Sequence, residues 1–213
     1  MRLTVTTTAT NRPDILAATY ESFTSRMRGV DFSKSTLYLN VDPLPISSGR
    51  KAAIKVARRF FGNVVHRLPK KANFTSAVNW LWSQPSDEFI FHLEDDWELL
   101  ENISINTLLG IFKSNPILYQ VALRAYRYKY RKFCLSPSLI RRPLYKRMGG
   151  RLDESINPEL QLRFQPAKMR KRVTAYPDVG IIVKDIGREW IHRFKLRKPS
   201  KKCKFISWVS NRG

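Results

Sequence analysis

Acidic residues are scarce in this chain, and scarcest in its second half. Of 213 residues, 39 are Lys or Arg and only 17 are Asp or Glu. Residues 101–213 hold 26 basic residues against 7 acids, a net of +19, whereas residues 1–100 hold 13 against 10, a net of +3. Charge placed only for solubility would be spread more evenly. The imbalance predicts a polyanionic partner, either nucleic acid or an anionic membrane surface. Cysteine is almost missing. Cys134 and Cys203 form neither a metal-ligand spacing nor a disulfide framework, so both are expected as reduced thiols of a cytoplasmic protein, in the host cytoplasm if the source is viral. No run of 18 apolar residues occurs, so no transmembrane segment is expected. The first five residues are too short and too strand-like for a secretory signal. A glycine-rich phosphate loop is lacking, which counts against nucleotidyl transfer, and there is no internal repeat or low-complexity linker.

What is present is enough to fold. The chain is 43% hydrophobic and 12% aromatic, sufficient for one domain with a substantial core. Residues 3–8, Leu3 followed by five β-branched side chains, predict a first strand. Residues 11–14 predict a turn, with Pro13 suited to open a helix carrying Ile15, Leu16, Thr19, Tyr20 and Phe23 at helical spacing. Thr36–Asp42 predicts a second strand that ends in a carboxylate. Residues 47–49 open a basic helix with Ala53, Ile54, Ala57, Phe60 and Phe61 on its apolar face. A short strand over 63–68 and a helix over 73–82, capped near Asn73 or Thr75, follow. This alternation implies an α/β fold, a single domain whose mostly parallel central sheet is flanked by helices. Further on, the pattern predicts a helix over 104–113, strands over 118–123, 133–136 and 179–183, and a helix started by Pro158.

The apolar run Phe89, Ile90, Phe91, His92, Leu93 leads into three consecutive carboxylates, Glu94, Asp95 and Asp96, and then Trp97. Three acids at a strand end repel one another unless positive charge lies between them, and a hard divalent cation bound by oxygen would provide it. A solvated acidic turn is the plainer alternative. The buried strand in front favours a site, because open α/β sheets bind ligands beyond the carboxyl ends of their strands.

In order and spacing, four features resemble a GT-A-fold, nucleotide-sugar-dependent glycosyltransferase of the inverting kind: the opening strand with Asn11, Arg12 and Pro13; the strand ending at Asp42; Glu94-Asp95-Asp96, similar to the family's DxD-type motif; and Asn157-Pro158-Glu159. The resemblance covers roughly residues 3–190. It implies a nucleotide-sugar donor held by Thr6, Thr7, Thr8, Asn11, Arg12, Asp42, Asn79, Glu94 and Asp95. It also implies a divalent metal, Mn2+ or Mg2+, on Asp96. A helical Asn such as Asn79 is otherwise a structural residue. Where the family carries a late metal-binding His, this chain has Asp185, with His192 nearby. Glu159 would be the general base on the acceptor hydroxyl; without the resemblance it is an ordinary acid at a helix start.

On this reading, residues 1–100 form the nucleotide-sugar half, 101–190 the acceptor and catalytic half, and 191–213 a basic C-terminal extension. Tyr126, Tyr128 and Tyr130 interleave with Arg127, Lys129, Arg131 and Lys132, a pattern that stacks bases and neutralises phosphates, or else alternates as an amphipathic strand. With Arg124, Arg141, Arg142, the 168–172 cluster and the 193–204 tail, it suggests DNA as acceptor. The resemblance is then to the DNA-modifying glycosyltransferases of bacteriophages, which would take a hydroxymethylated base flipped from the duplex. A peripheral-membrane transferase building lipopolysaccharide or another surface glycan, with its basic half on anionic lipid, is the rival enzyme. A non-catalytic nucleic-acid-binding protein is the rival of another class.

Overall fold

The computed structural model describes residues 1–44, 49–123, 133–147, 149–163, 172–177, 180–188, 190, 196–197 and 209–210. At its centre lies β1 (Thr4–Thr10), in which every residue is buried. Short Thr, Val and Ala side chains suit a parallel strand covered on both faces. Pro13 then opens α1 (Pro13–Arg26) at its first turn, where a missing N–H costs nothing. The chain continues through β2 (Met27–Arg28), β3 (Thr36–Asp42), α2 (Arg50–Ala57), β4 (Asn63–Arg67), α3 (Phe74–Ser83) and β5 (Phe89–Glu94). Asn73 caps α3 by accepting the Ser76 N–H at 2.9 Å. β6 (Trp97–Leu99), β7 (Ile103–Ser104) and α4 (Ile105–Ser114) follow. Then come β8 (Gln120–Leu123), β9 (Ser138–Arg141), α5 (Pro143–Arg147), α6 (Pro158–Arg163), β10 (Val173–Tyr176) and β11 (Val183–Asp185).

The main sheet has seven strands in the order β10-β8-β9-β5-β1-β3-β4. Its neighbours are parallel except for β9, which runs antiparallel to both β5 and β8. Helices cover both faces, because alternate side chains of β5 feed two cores. Phe91 and Leu93 pack with Leu16, Tyr20, Phe23, Leu108 and Phe112 of α1 and α4. Ile90 packs with Val78, Leu81 and Trp82 of α3 and Leu144 of α5. Each such side chain, fully buried, stabilises the fold by about 1.5–3 kcal/mol.

This is the α/β architecture that the alternation predicted, with four local differences. β1 continues to Thr10, two residues past the expected end. α2 stops at Ala57, and Phe60 and Phe61 lie in the turn beyond it, where Phe61 packs on Tyr20 and Phe32. The strand expected over 133–136 lies instead at Ser138–Arg141. The last part of the sheet is two separate strands, β10 and β11, the second of which pairs with β6 outside the main sheet.

Candidate active site

Register brings three carboxylate-bearing ends together. Thr10 is paired with Asp42 across β1 and β3, and Thr8 with Glu94 across β1 and β5. Asp95 and Asp96 occupy the turn from β5 into β6. On the far side β11 pairs with β6, so that Asp185 stands opposite Trp97, and the Ile186 N–H donates to the Asp96 carbonyl at 2.9 Å.

The positive charge between the acids is Arg12. It is 1% exposed and lies against Asp95 (4%) and Asp96 (1%). Its Nη2 donates to Asp95 Oδ1 and, at 3.3 Å, to Asp96 Oδ2; its Nε donates to Thr10 Oγ1 at 2.9 Å and to Asp95 Oδ2 at 3.3 Å. Asp95 Oδ2 also accepts the Thr10 N–H at 2.9 Å and the Thr10 hydroxyl at 3.1 Å. The Asp95 backbone is fixed as well, its N–H by Thr8 O at 3.1 Å and its carbonyl by the Thr19 hydroxyl at 2.8 Å. Trp190 lies over the guanidinium, 5.3 Å from its ring centre. Burial alone would lower the Arg12 pKa, but the charges of Asp95 and Asp96 outweigh it and raise the pKa above its ordinary value. Burial pushes the Asp95 carboxyl up and Arg12 pulls it back; since all these side-chain partners donate to it, the geometry is that of a carboxylate.

Positive charge was expected between the acids, and the protein supplies part of it itself in the buried Arg12. Asp95 and Arg12, both expected on the donor side, are bonded to each other. Thr10, Thr19 and Trp190 were missed. Thr10 follows the β-branched run of residues 4–8 after a single Ala9, which is short enough to stay in the same buried strand.

Glu94 is half-buried and accepts the Trp97 indole N–H at 2.9 Å. Asp42 is buried at the end of β3, accepting from Asn40 Nδ2 at 2.7 Å and from the Asn73 N–H at 3.1 Å. Burial pushes its carboxyl up to about 6, against the two hydrogen bonds and the charges of Arg67 and Arg50. Asn11 accepts the Leu44 N–H at 3.0 Å and so ties the loops after β1 and β3.

Two further expectations change. Thr6 and Thr7 lie in mid-strand, and the Thr6 hydroxyl bonds His92 Nδ1 at 3.0 Å, which Trp82 Nε1 also meets at 3.3 Å. Of the three threonines, only Thr8 approaches the site, through its carbonyl. Asn79 is structural: its amide exchanges bonds of 2.9 and 2.8 Å with the Leu152 carbonyl and N–H, pinning residues 152–154 to α3.

Glu159 lies in the first turn of α6, its N–H bonded to Asn157 Oδ1 at 2.9 Å. Burial pushes the Cys134 thiol up to about 11, opposed by its 2.8 Å contact with Ser136, and the charges of Glu159 and Glu94 push it the same way. Both acids therefore lie within electrostatic reach of one thiol. Arg141 and Arg142 do not belong near this site. Because β9 is antiparallel, Arg141 is paired with Phe89 at the start of β5, about 17 Å from Glu94 at about 3.3 Å per residue. There Arg141 bonds Pro116 O at 2.6 Å and meets Glu88 at 3.4 Å, while Arg142 bonds Ser86 O at 3.1 Å. Arg124, Arg127, Lys129, Arg131, Lys132 and His192 lie outside the described residues, as does Cys203.

Among the described residues no group of three or more His, Cys, Asp or Glu side chains converges to hold a metal ion. Asp185 accepts the Gly187 N–H at 3.0 Å and pairs with Arg188 at 3.4 Å. Gly187 covers the Asp96 carboxylate so closely that an added Cβ would come within 2.7 Å of the Asp96 Cβ. This donor set does not suit an all-protein cage. It suits an ion that takes one or two carboxylates and brings its remaining oxygen ligands on a substrate diphosphate.

No protein-family model matches the chain, and no curated protein matches it in sequence. Solved structures do match in fold. S. aureus TarS is 12% identical with a TM-score of 0.63 over 92% of this chain and 38% of its own. A mannosyltransferase from Pyrobaculum calidifontis, solved with GDP-Man and Mn2+, is 14% identical with a TM-score of 0.65 over 91% of this chain and 59% of its own. A CMP-2-keto-3-deoxy-manno-octonic acid synthetase, solved with CTP, is 12% identical with a TM-score of 0.50 over 83% of this chain and 89% of its own. This chain thus spans less than two thirds of the length of the first two proteins. What is shared is the GT-A-like fold.

Proposed function

We propose that this chain is a metal-assisted glycosyltransferase that moves a sugar from a nucleotide-sugar donor to a hydroxyl, with a hydroxymethylated base in DNA as preferred acceptor. One observation carries the reading: Asp42, Glu94, Asp96 and Asp185 gather at the carboxyl end of a parallel sheet whose fold is shared with structures that hold nucleotide sugars. Asp42 would accept from the nucleobase and Glu94 from the ribose. Asp96, with Asp185 beside it, would hold Mn2+ or Mg2+, which supplies Lewis-acid stabilisation to the departing diphosphate. Arg12 keeps Asp96 aimed. The acceptor oxygen bonds to the anomeric carbon as the bond to the nucleoside diphosphate breaks. Glu159 takes the hydroxyl proton, and the diphosphate leaves with the electron pair, inverting the sugar.

DNA is the preferred acceptor for two reasons. The half with net charge +19 follows the donor half, and β8, ending at Leu123 before the Tyr126–Lys132 stretch, and β9, starting at Ser138 after it, have those ends on the carboxylate side of the sheet. An enzyme of this kind acts in the cytoplasm, that of the host if it belongs to a bacteriophage. A second reading, nucleotidyl transfer, is favoured by the likeness to the CTP-bound synthetase over most of that chain.

The test compares wild type, Asp96→Ala and Glu159→Gln with nucleotide sugars and Mn2+, supplying hydroxymethylated DNA, unmodified DNA and lipid-linked glycan in parallel. Transfer to modified DNA is expected. It should be lost in Asp96→Ala and reduced about 10²–10⁴-fold in Glu159→Gln. Transfer only to the glycan would make the chain a membrane-surface enzyme. Release of pyrophosphate from a nucleoside triphosphate would establish the second reading. Salt-sensitive DNA binding with no turnover would leave a binding protein.

A further inference from the structure

The near-neutral charge of the first hundred residues is a cancellation. Residues 87–100 carry six acids and no base, while residues 43–86 carry eight Lys or Arg and no acid. The structure gathers those eight cations at one margin of the molecule. β4 is the last strand of the sheet and pairs only with β3. α2 turns Ala53, Ile54 and Ala57 to the core, which leaves Lys51, Lys55, Arg58 and Arg59 facing water at i, i+4, i+7 and i+8. Lys70 and Lys71, in the loop after β4, are exposed too. Arg50 and Arg67 are half-buried, bonded to Pro69 O and, at 3.1 Å, to Ser76 O, and their charges reach Asp42. The strip therefore begins beside the candidate site and runs down α2, a helix about 12 Å long at about 1.5 Å per residue.

We propose that this margin is a docking surface for the phosphodiester backbone of nucleic acid. None of the six exposed cations forms an ion pair with a described residue. Lys51 and Lys55 are like-charge neighbours on one helix face, with Arg58 and Arg59 in the turn that follows, a mutual repulsion that a row of phosphates relieves. A membrane surface would need large apolar anchors among the charges. Among the described residues of this margin the only exposed large apolar side chain is Val65, and the apolar face of α2 is spent on the core. Cations without anchors match a phosphate track, which is read by charge and not by insertion. This inference rests on the reading of DNA as acceptor, but it concerns binding and needs no donor.

The experiment compares the full-length protein with Lys51→Gln/Lys55→Gln/Arg58→Gln/Arg59→Gln and, separately, Lys70→Gln/Lys71→Gln. Binding to a short fluorescein-labelled unmodified duplex is followed from about 50 to about 200 mM salt, without donor or metal. The slope of log affinity against log salt should become shallower by about three to four in the quadruple variant and by about two in the double variant. Affinity at the lower salt should fall about tenfold or more in the quadruple variant. Melting curves like the wild type's establish that the fold is intact. Wild-type slopes in both variants would overturn the proposal. So would lost binding to phosphatidylserine vesicles with duplex affinity kept, which would give the strip to lipid. Reduced slopes in a protein that never glycosylates DNA would uphold the strip and sink only the acceptor reading.

Discussion

Asp95 and Asp42 flank the end of the same central strand, and the protein surrounds their buried carboxyls in different ways. Both are buried, and burial pushes both carboxyls upward. Asp95 lies against a buried guanidinium and collects donors on both oxygens. Asp42 has one amide and one backbone N–H, with its nearest cations acting from further away, and its carboxyl comes to rest near 6. The difference teaches that hydrogen bonds from neutral donors offset only part of the cost of a buried charge, whereas a cation in contact offsets more of it. Asp95 is therefore structure that shapes Asp96, and Asp42 is a group that can gain or lose a proton as conditions change.

The strongest way to break this comparison is to remove Arg12. Arg12→Ala strands two buried acids and should lower folding stability by about 3–5 kcal/mol, read from denaturant midpoints. Adding Asp95→Ala should return part of that loss, and a single-variant loss under about 1 kcal/mol would refute the clamp. Next in size is Gly187→Ala. The methyl group has no room above Asp96, so donor turnover should fall about tenfold to a hundredfold as the carboxylate is displaced.

Acidification tests the other side. His92 is fully buried, and burial pulls its pKa from 6.5 to about 3. The unfolded chain takes up that proton at 6.5 and the fold refuses it, so stability present above 6.5 is lost as pH falls towards 3. Between pH 7 and pH 5 this amounts to about 2 kcal/mol. Asp42 acts in the opposite sense. Its folded pKa of about 6 lies above the ordinary 3.8, so the fold binds the proton first and gains about 1 kcal/mol over the same range. The histidine wins narrowly, and wild type should lose a little stability between pH 7 and pH 5. Urea titrations at the two pH values should show His92→Gln gaining relative to wild type by about 2 kcal/mol. The smallest effect belongs to Asp42→Asn, which should lose about 1 kcal/mol relative to wild type over that interval. In the same variant, nucleoside diphosphate affinity should no longer weaken below about pH 6, as it should in wild type when Asp42 becomes protonated.

Much of this was legible in the chain itself. Strand–helix alternation, the acids closing two strands, Pro13 opening α1 and Asn73 capping α3 are local signals, and each appears where it was expected. What was hidden depends on relations between distant segments. Nothing in Ser138–Arg141 encodes the direction in which it enters the sheet, and that direction alone sends Arg141 and Arg142 to the end opposite the acids. The partner of Arg12 depends on the register of β1 against β5, which only the assembled sheet defines. The basic margin along α2 was obscured differently, by averaging it with an acidic segment that lies elsewhere in space.

The Arg12–Asp95 pair joins residues 83 apart in the chain, across two strands that no tight turn connects. Closing a loop of that length carries an entropic cost that must be met before the contact gives anything back. A nascent or truncated chain that holds only β1, or only β5, carries none of the charge balance of the acidic cluster. That balance belongs to the completed sheet, since each half of the pair comes from a different strand end.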